Sequence, residues 1–401
     1  MRICGIVSEY NPFHKGHAHQ IAEAKARLGE DSAVVCCMSS DFVQRGDAAI
    51  LPKHLRAKAA ILGGADVVLE LPAPYALRSA EGFAQSAVDI LLGTGVITHL
   101  SFGAEDADAA LLRETAALLL EHRTVQDTLM HLKTGISYAA ARERALYAQV
   151  KEKAEILRKP NNILAVEYCK ALLRRESDVE LLPIRREGVG HDEGAAGGFA
   201  SASHIRELLR EGKTEEALPY LPESTAAILQ EAAEKGLALL NGERLENAML
   251  SGLVRLTAED LARLPDASEG LDNRLLEAIR KGRTVEEICT LANTKRYALS
   301  RIRRMLFCAF LGITAEESST PPPYARVLAF SDKGREVLKA ARKQAVIPLI
   351  TKPAHAFDLG GDARRIFERE ALACDLYQLV LPGWKDIRWG DDWRQDAIYV
   401  K

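Results

Sequence analysis

Two imidazole side chains lie close together near the start of this 401-residue chain. His14 and His17 are three positions apart, with Lys15 and Gly16 between them. Imidazole N–H groups beside free backbone amides suit the negative charge that develops on a phosphoryl group during its transfer. We therefore predict a phosphate site with His14, His17 and Lys15 as candidate catalytic residues. The alternative interpretation is a surface histidine with an ordinary helix cap and a solvated lysine.

The elements around these residues favour the phosphate site. A short apolar run, Ile3 to Val7, indicates a strand. Pro12 fixes its own φ and disfavours helix at Asn11, so the chain must leave that strand through a turn. An amphipathic helical pattern follows from His17 to Leu28. The unpaired N–H groups at the start of such a helix form an anion site.

The first 210 residues alternate between strand-like and helical patterns. The predicted strands are 3–7, 32–38, 66–70, 98–102 and 179–184, and helices are predicted at 17–28, 53–63 and 80–92. This alternation predicts an α/β fold with a parallel sheet and helices on both faces. Ligands of such sheets bind outside the carboxyl ends of the strands. Polar or glycine-bearing loops follow three of these strands, at 8–11, 39–41 and 103–106, so we expect the site there.

Three regions are predicted along the chain. Residues 1–210 form the catalytic α/β region, and residues 211–318 carry a helical pattern with few strand signals. Pro321-Pro322-Pro323 indicates a linker. Residues 319–401 are predicted to form a small C-terminal α/β unit, with a strand at 326–330, a helix at 333–343 and a strand at 346–350.

The composition bounds the class of protein. Hydrophobic residues make up 47% of the chain, and no apolar run approaches the roughly 20 residues of a membrane span. No export signal is visible at the N-terminus. The seven cysteines lack Cys-x-x-Cys and zinc spacing, so we expect reduced core residues in a cytoplasmic protein. We also expect no dedicated metal site, and no obligate protein partner is visible in the sequence. With a net charge of -3, any contact with nucleic acid must come from a local patch.

The opening motif resembles a known signature. Residues 11–17, Asn-Pro-Phe-His-Lys-Gly-His, are similar to the His-x-Gly-His signature of the nucleotidyltransferase superfamily. That superfamily has a Rossmann-like fold, which class I aminoacyl-tRNA synthetases share. The resemblance implies that His14 and His17 contact ATP phosphates and steady the transition state at the α-phosphate. Residues 200–206, Ala-Ser-Ala-Ser-His-Ile-Arg, are similar to the second signature, Ile-Ser-Ser-Thr-x-x-Arg, with Ala202 and His204 as departures.

Five strings resemble one branch of this superfamily, the bacterial tRNA(Met) cytidine acetate ligases. They are Glu-Tyr-Asn-Pro-Phe-His at 9–14, Met-Ser-Ser-Asp-Phe-Val-Gln-Arg-Gly at 38–46, Phe-Gly-Ala-Glu at 102–105, Lys-Pro-Asn-Asn-Ile-Leu at 159–164 and Lys-Arg-Tyr at 295–297. Ser40 is a departure, because the family more often has glycine there. The resemblance implies that acetate is activated by ATP to acetyl-adenylate. The acetyl group then passes to N4 of the wobble cytidine of elongator tRNA(Met).

The resemblance also implies an ATP site. Its residues would be Val7, Ser8, Glu9, Tyr10, Asn11, Pro12, Phe13, His14, Lys15, Gly16, His17, Ala18, His19, Gln20, Gly103, Asn161 or Asn162, Arg185 or Arg186, Ser201, Ser203 and Arg206. Simpler interpretations remain for the later positions. Gly103 could be a plain turn glycine, the asparagines and serines could be helix caps, and the tandem arginines could be surface charges. Residues 188–192 with Gly194, Gly197 and Gly198 would form a flap over the nucleotide or a plain surface loop. Mg²⁺ is expected to arrive with ATP, without a dedicated protein site.

Two segments are candidates for contact with substrate or tRNA. The first is the loop that contains Ser39, Asp41, Gln44 and Arg45. The second is residues 293–304, which hold five basic residues and no acid. Helical spacing of the apolar residues there predicts an exposed basic ridge suited to RNA phosphates, made of Lys295, Arg296, Arg303 and Arg304, with Tyr297 free to stack. Arg301 is a further candidate contact with tRNA. The alternative is a solvated helix face.

Two other functions are open on the sequence. One is a nucleotidyltransferase that adenylylates a small phosphorylated metabolite, although the long helical and C-terminal regions argue against so small a substrate. The other is a non-catalytic RNA-binding or scaffold protein that retains a nucleotide-binding fold. The intact His14, Gly16 and His17 argue against it.

Overall fold

A computed structural model describes residues 1–186, 195–196, 198–386 and 388–401 of the chain. The predicted flap at 188–192, with Gly194 and Gly197, therefore lies outside the described residues. Among the helices that are described, none is both long enough and apolar enough to cross a membrane.

The strands follow the apolar runs of the sequence. They are β1 (Arg2–Ser8), β2 (Ser32–Ser39), β3 (Phe42–Val43), β4 (Asp47–Ala48), β5 (Val67–Leu71), β6 (His99–Ala104), β7 (Glu180–Arg185), β8 (Ala195–Ala196), β9 (Phe199–Ala200), β10 (Ala325–Phe330), β11 (Leu349–Ile350) and β12 (Ile398–Tyr399). β2 is buried along its whole length, as expected for a strand covered on both faces.

The helices of the α/β region surround the sheet. They are α1 (Lys15–Leu28), α2 (Lys53–Leu62), α3 (Ala73–Ala76), α4 (Ala80–Gly93), α5 (Ala109–Leu120), α6 (His122–Leu132), α7 (Tyr138–Val150), α8 (Pro160–Arg174) and α9 (Ala202–Arg210). The sequence analysis did not predict α5, α6 and α7, which lie between β6 and β7. Asp108 caps the start of α5 and Ser137 caps the start of α7.

The remaining helices belong to the middle and C-terminal regions. They are α10 (Thr214–Ala217), α11 (Glu223–Glu234), α12 (Gly242–Leu253), α13 (Ala258–Ala262), α14 (Leu271–Lys281), α15 (Val285–Ala292), α16 (Leu299–Leu311), α17 (Ala315–Ser319), α18 (Asp332–Gln344) and α19 (Gly361–Leu379). Short 3₁₀ turns occur at Lys151–Arg158, Leu218–Tyr220, Pro353–Asp358, Trp384–Asp386 and Asp391–Trp393.

The central sheet confirms the predicted parallel α/β core. Within the described part of the chain it has eight strands, seven of them in the order β11-β10-β5-β2-β1-β6-β7, with β12 paired to β10. Neighbours from β5 to β7 run parallel. The chain moves outward from β1 through β2 to β5, then crosses to β6 and β7. The direction therefore reverses between β1 and β6, and an open α/β sheet binds its ligand at such a point.

The C-terminal region extends this sheet rather than forming a sheet of its own. It contains a strand, a helix and a second strand, as predicted. However, β10 pairs antiparallel with β5, placing Val327 opposite Leu69. This pairing covers an edge of β5 that would otherwise be open to other strands. The C-terminal residues are therefore part of the same layered core.

A buried cluster of charged side chains ties the C-terminal region to the sheet. The Nζ atom of Lys53 lies 2.6 Å from Glu70, 2.9 Å from Glu370 and 3.0 Å from Asp392. Arg326 also contacts Asp392, at 2.6 Å. Burial raises the pKa of Glu370 to about 8, whereas the pKa of Asp392 is held well below its ordinary range by Arg326 and Lys53, against the effect of burial. The three carboxylates are near enough to share a metal ion, but the Lys53 ammonium contacts all three.

The seven cysteines are all buried and free, as the sequence analysis expected. Cys36 and Cys37 point to opposite faces of β2 and join different apolar cores. A third core unites the helical region with Phe42 of β3 and Tyr377 of α19. The β3–β4 hairpin therefore links the α/β region to the helical region.

Candidate active site

The start of α1 forms one wall of a cleft at the reversal point of the sheet. His14 is the N-cap of this helix, and its Nδ1 accepts a hydrogen bond from the Gly16 N–H at 3.1 Å. His17 Nδ1 accepts from the His14 N–H at 3.3 Å, which completes a reciprocal cap. A Cβ on Gly16 would lie 2.9 Å from Cε1 of His14. Glycine at this position therefore avoids a steric clash with the His14 ring. His14 therefore acts as a helix cap, as the alternative interpretation expected. It also lines the cleft.

The two rings are stacked and uncharged. Their centroids are 3.7 Å apart at an interplanar angle of 21°. Burial lowers the pKa of His14 to about 3, with further lowering by Arg186 and Arg206. Burial, His14 and Arg186 hold the pKa of His17 well below its ordinary value. A neutral ring whose Nδ1 accepts a hydrogen bond carries its proton on Nε2, so the pair offers two Nε2–H donors.

The cleft gathers predicted residues from four parts of the chain. It opens to solvent and is lined by twelve of the described residues. Nine of its lining residues were predicted from the sequence: His14, Gly16, His17, His19, Gln20, Gly103, Arg185, Arg186 and Ser201. The sequence analysis missed Ile184, Phe199 and Ala200, although each directly precedes a predicted site residue or segment. No carboxylate is found among the described residues that line the cleft.

Gly103 and Arg186 meet on the wall opposite α1. A Cβ on Gly103 would lie 3.3 Å from Cγ of Arg186, so the glycine allows the arginine chain to cross the sheet edge. Arg186 Nη1 also lies 3.4 Å from Oδ1 of Asn161. These contacts orient one guanidinium beside the two imidazoles, where it can meet phosphate oxygens.

Asn161 and Asn162 lie in the first turn of α8 and are not its caps, because Lys159 holds the N-cap position. The Glu105 carboxylate accepts from both of their backbone N–H groups, at 3.2 and 2.9 Å. Asn162 is fully buried, and its Oδ1 accepts from the N–H groups of Glu105 and Asp106 at 3.0 Å each. Asn162 therefore joins α8 to the loop after β6. Asn161 connects Glu105 to Arg186.

The second predicted signature begins α9. Ser201 caps this helix by accepting from the His204 N–H at 3.2 Å, and it also lines the cleft. Ser203 accepts from Arg206 Nη2 at 3.2 Å, and Arg206 Nη1 donates to the Asn11 carbonyl at 2.8 Å. Arg206 thus braces the turn that carries the histidines, while Ser203 holds Arg206.

Several residues of the opening segment support the site from outside the cleft lining. Tyr10, Asn11, Pro12 and Phe13 are buried, and the Tyr10 ring packs edge-on against His17 at 4.8 Å. Val7 packs against one core, and Ala18 against the other. Lys15 is exposed at the first position of α1, and neither Lys15 nor Ser8 lines the cleft.

Arg56 is a buried residue that sequence reasoning missed. Its guanidinium donates to the carbonyls of Glu9 at 2.6 Å, Ser39 at 3.0 Å and Ser40. One side chain therefore holds together the loops that follow β1 and β2. An isolated arginine in a helical pattern gave no signal of this role.

Two residues of the loop after β2 that were expected to contact substrate or tRNA are buried. Ser39 and Asp41 are 0% and 2% exposed, so neither reaches tRNA in this structure. Asp41 Oδ1 instead accepts from the Lys53 N–H at 2.7 Å and thereby caps α2. The hydroxyls of Ser8, Ser39 and Ser40 and the Nδ2 of Asn11 are buried without a hydrogen-bond partner among the described residues. Such atoms mark a place where a bound ligand can complete the hydrogen bonding.

The chain matches proteins of known family over nearly its whole length. The model of the HIGH nucleotidyl transferase family matches residues 1–389. A tRNA(Met) cytidine acetate ligase of Fervidobacterium nodosum is 36% identical over 426 residues, covering 99% of each protein. The chain belongs to this ligase family.

A solved structure of the family supports the assignment of the fold. Thermotoga maritima TmcAL in its apo form aligns with a TM-score of 0.94 at 30% identity, covering 100% of both chains. A second crystal structure of that protein, bound with alpha-thio ATP, aligns with a TM-score of 0.91. As a family member, the chain is a ligase with a nucleotidyltransferase core.

The predicted basic ridge of this ligase is largely neutralised. Glu269 contacts Arg296 at 3.2 Å and Arg301 at 2.9 Å. Arg304 is buried and lies 3.3 Å from Asp266, and Tyr297 is buried with its hydroxyl donating to the Glu269 carbonyl. The predicted exposure is therefore wrong for Arg304 and Tyr297, whereas Arg296 remains exposed beside Glu269. The acids that pair with them come from positions 266 and 269, outside the stretch that looked purely basic.

Four cations of the predicted tRNA contacts remain exposed, among them Arg296, whose side chain is 42% exposed beside Glu269. Lys295 and Arg45 are exposed without a recorded ion pair among the described residues, and Arg303 is 41% exposed, 3.1 Å from Glu286. A Cβ on Gly46 would lie 2.7 Å from the Arg303 backbone, so the hairpin tip abuts α16. Arg45 and Arg303 are thus neighbours. Gln44 is half-buried and donates from Nε2 to the Arg78 carbonyl at 3.1 Å.

Proposed function

We propose that this chain activates acetate with ATP and transfers the acetyl group to N4 of the wobble cytidine of elongator tRNA(Met). The observation that carries the proposal is the stacked histidine pair at the mouth of α1, in which both Nδ1 atoms accept backbone N–H groups. The family relatives named as tRNA(Met) cytidine acetate ligases support the substrates. The cytoplasm is the expected location, because the tRNA is there.

In the first step, a carboxylate oxygen of acetate attacks the α-phosphorus of ATP and pyrophosphate leaves. The Nε2–H groups of His14 and His17 and the amides at the start of α1 would donate to the oxygens that gain charge. Arg185 and Arg186 would hold the phosphates that depart. Because the described lining lacks a carboxylate, Mg²⁺ would be held chiefly by the phosphates and would neutralise part of their charge.

Acetate would lie at the carboxyl ends of β1 and β2. Arg56 holds the backbone carbonyls of Ser39 and Ser40 there, beside the turn that leads to the histidines, and their hydroxyls are unpaired among the described residues. A small carboxylate could accept hydrogen bonds from these groups while its attacking oxygen faces the α-phosphate. Ser39 would then serve the small substrate rather than tRNA.

The two asparagines are expected to differ in their effects. Asn161→Ala should raise the KM for ATP, because it releases Arg186 from its 3.4 Å contact. Asn162→Ala should instead lower the free energy of unfolding by about 1–3 kcal/mol, because it removes a fully buried side chain and leaves the half-buried N–H groups of Glu105 and Asp106 unpaired. Initial rates and urea unfolding of both variants measure the two effects. Equal losses of stability with no change in KM would contradict this division.

Replacing Arg45 and Arg303 together with alanine should weaken tRNA binding. Loss of two phosphate contacts should reduce the slope of log affinity against log salt by about 2. Acetate-dependent exchange of pyrophosphate into ATP should persist, because these side chains do not line the cleft. Filter binding over a range of salt concentrations measures the slope. Arg304→Ala is the contrast: it should lower stability without reducing the slope, since Arg304 is buried against Asp266.

The decisive test of the function is pyrophosphate exchange into ATP with and without acetate and tRNA. Exchange that requires acetate, followed by acetylation of tRNA(Met) in the complete mixture, is the expected result. Exchange that requires a phosphorylated metabolite would instead identify an adenylyltransferase for a small substrate. Nucleotide binding without any exchange would identify a non-catalytic protein.

A further inference from the structure

Glu9 occupies the end of the central strand, between the histidine helix and the β3–β4 hairpin. Tyr10, the next residue, has a φ of +48°, a left-handed conformation that is costly for a tyrosine. The Tyr10 ring packs against His17 in this conformation. The Glu9 carboxylate instead contacts the tip of the hairpin, where Arg45 is exposed. Glu9 thus lies between the phosphate site and the proposed tRNA contact.

The two oxygens of this carboxylate have different surroundings. Oε1 accepts a hydrogen bond from the Gln44 N–H at 2.7 Å. Oε2 has no hydrogen-bond partner among the described residues. It is also absent from the set of unpaired atoms that are sealed from solvent, so it can be reached from outside. The backbone of Glu9 is also fixed, because its carbonyl accepts from Arg56 at 2.6 Å. One oxygen is therefore anchored and the other is available to a ligand.

Charged groups from three elements face Glu9. They are Arg206 of α9, Arg45 of the hairpin and Arg56 of α2, and Tyr168 of α8 is the titratable group on the remaining side. Burial raises the pKa of Glu9 despite the Gln44 N–H and these three arginines. Arg206 also acts on His14, so the carboxylate and the phosphate site share a neighbour.

The second step of the proposed reaction requires a proton acceptor. The exocyclic amine of cytosine attacks the acetyl carbonyl carbon, and the bond from that carbon to the AMP oxygen breaks. The attacking nitrogen must lose one proton to become the neutral amide. The AMP phosphate is a good leaving group and needs no proton to depart. The histidines cannot accept this proton readily, because their Nε2 atoms already carry hydrogen.

We propose that Glu9 is the general base for acetyl transfer, accepting the N4 proton of the cytosine on its free oxygen, Oε2. This assignment rests on the proposed function and adds a residue to its second step. The N–C bond forms, the C–O bond to AMP breaks with its electrons on the phosphate, and the proton passes from nitrogen to the carboxylate. Water then removes the proton from the carboxylic acid and restores the base.

Glu9→Gln tests the proposal with little change in shape, because the amide oxygen can still accept from the Gln44 N–H. Synthetic acetyl-adenylate and a tRNA(Met) transcript are mixed with excess enzyme, and acetylated cytidine is followed in a single turnover from pH 5 to 8. The wild-type rate should rise with pH through the titration of Glu9 and then level off. Glu9→Gln should be about 10²–10⁴-fold slower and independent of pH. Acetate-dependent pyrophosphate exchange should fall much less, because Glu9, although predicted to belong to the ATP site, does not line the cleft.

Three outcomes would overturn the assignment. They are a variant as fast as the wild type, a slow variant with an unchanged pH profile, and an equal loss in exchange and transfer. If the wild type itself fails to use acetyl-adenylate, the proposed function fails instead. Should Glu9→Gln fold poorly by urea unfolding, Glu9→Asp keeps the carboxylate and should retain both the pH dependence and part of the rate.

Discussion

His17→Ala should reduce acetate-dependent exchange of pyrophosphate into ATP by about 10²–10³-fold, the cost of removing one donor from a site of developing charge. The reason is geometric. His17 Nδ1 is occupied by the His14 N–H, so its Nε2–H is the group left to face the phosphate. The loss should appear as a fall in the rate at saturating ATP, measured by initial exchange rates. Wild-type exchange in this variant would remove His17 from the chemistry.

His14→Asn is the matched control for helix stability. Asparagine is among the best N-cap residues, so the start of α1 should keep its cap while the imidazole donor is lost. We expect exchange to fall in this variant with little change in the urea midpoint. Wild-type exchange in this variant would mean that His14 acts mainly as a cap, because asparagine supplies the same cap without the imidazole.

Lys53→Met should lower the free energy of unfolding by about 3–5 kcal/mol, because it leaves buried carboxylates without their ammonium partner. Lys53 is 1% exposed and contacts acids from the sheet, from α19 and from the C-terminal segment. Its loss should therefore loosen the C-terminal region from the core. Urea unfolding followed by circular dichroism measures the effect.

Lys281→Met gives the comparison for a surface lysine. Lys281 lies 3.6 Å from Glu277 on α14, and both side chains are mostly exposed. Solvent screens such a pair, so its loss should leave stability nearly unchanged. Equal effects of the two substitutions would mean that the buried cluster contributes no more than an ordinary surface pair.

The order of strands and helices around the site could be predicted because it depends on local patterns. The apolar runs of β1, β2 and β5 and the Asn-Pro turn before His14 are visible without any partner. The chemistry of the cleft followed from the same stretch, since the helix that begins at Lys15 presents His14 and His17 together.

Long-range pairing could not be read from the sequence. Residues 293–304 look purely basic, yet Glu269 reaches Arg296 and Arg301 from a preceding loop. The antiparallel pairing of β10 with β5 joins residues about 260 positions apart, so the final strand looked like part of a separate unit. Arg56 likewise owes its role to carbonyls of distant loops. Local spacing carries no information on such contacts.

The most direct test of the proposed phosphate site is a crystal structure of this chain with a non-hydrolysable ATP analogue. Phosphate oxygens should lie within hydrogen-bond distance of Nε2 of His14 and His17, with Arg186 on the opposite side. Nucleotide bound elsewhere on the molecule, or phosphates that avoid both imidazoles, would contradict it.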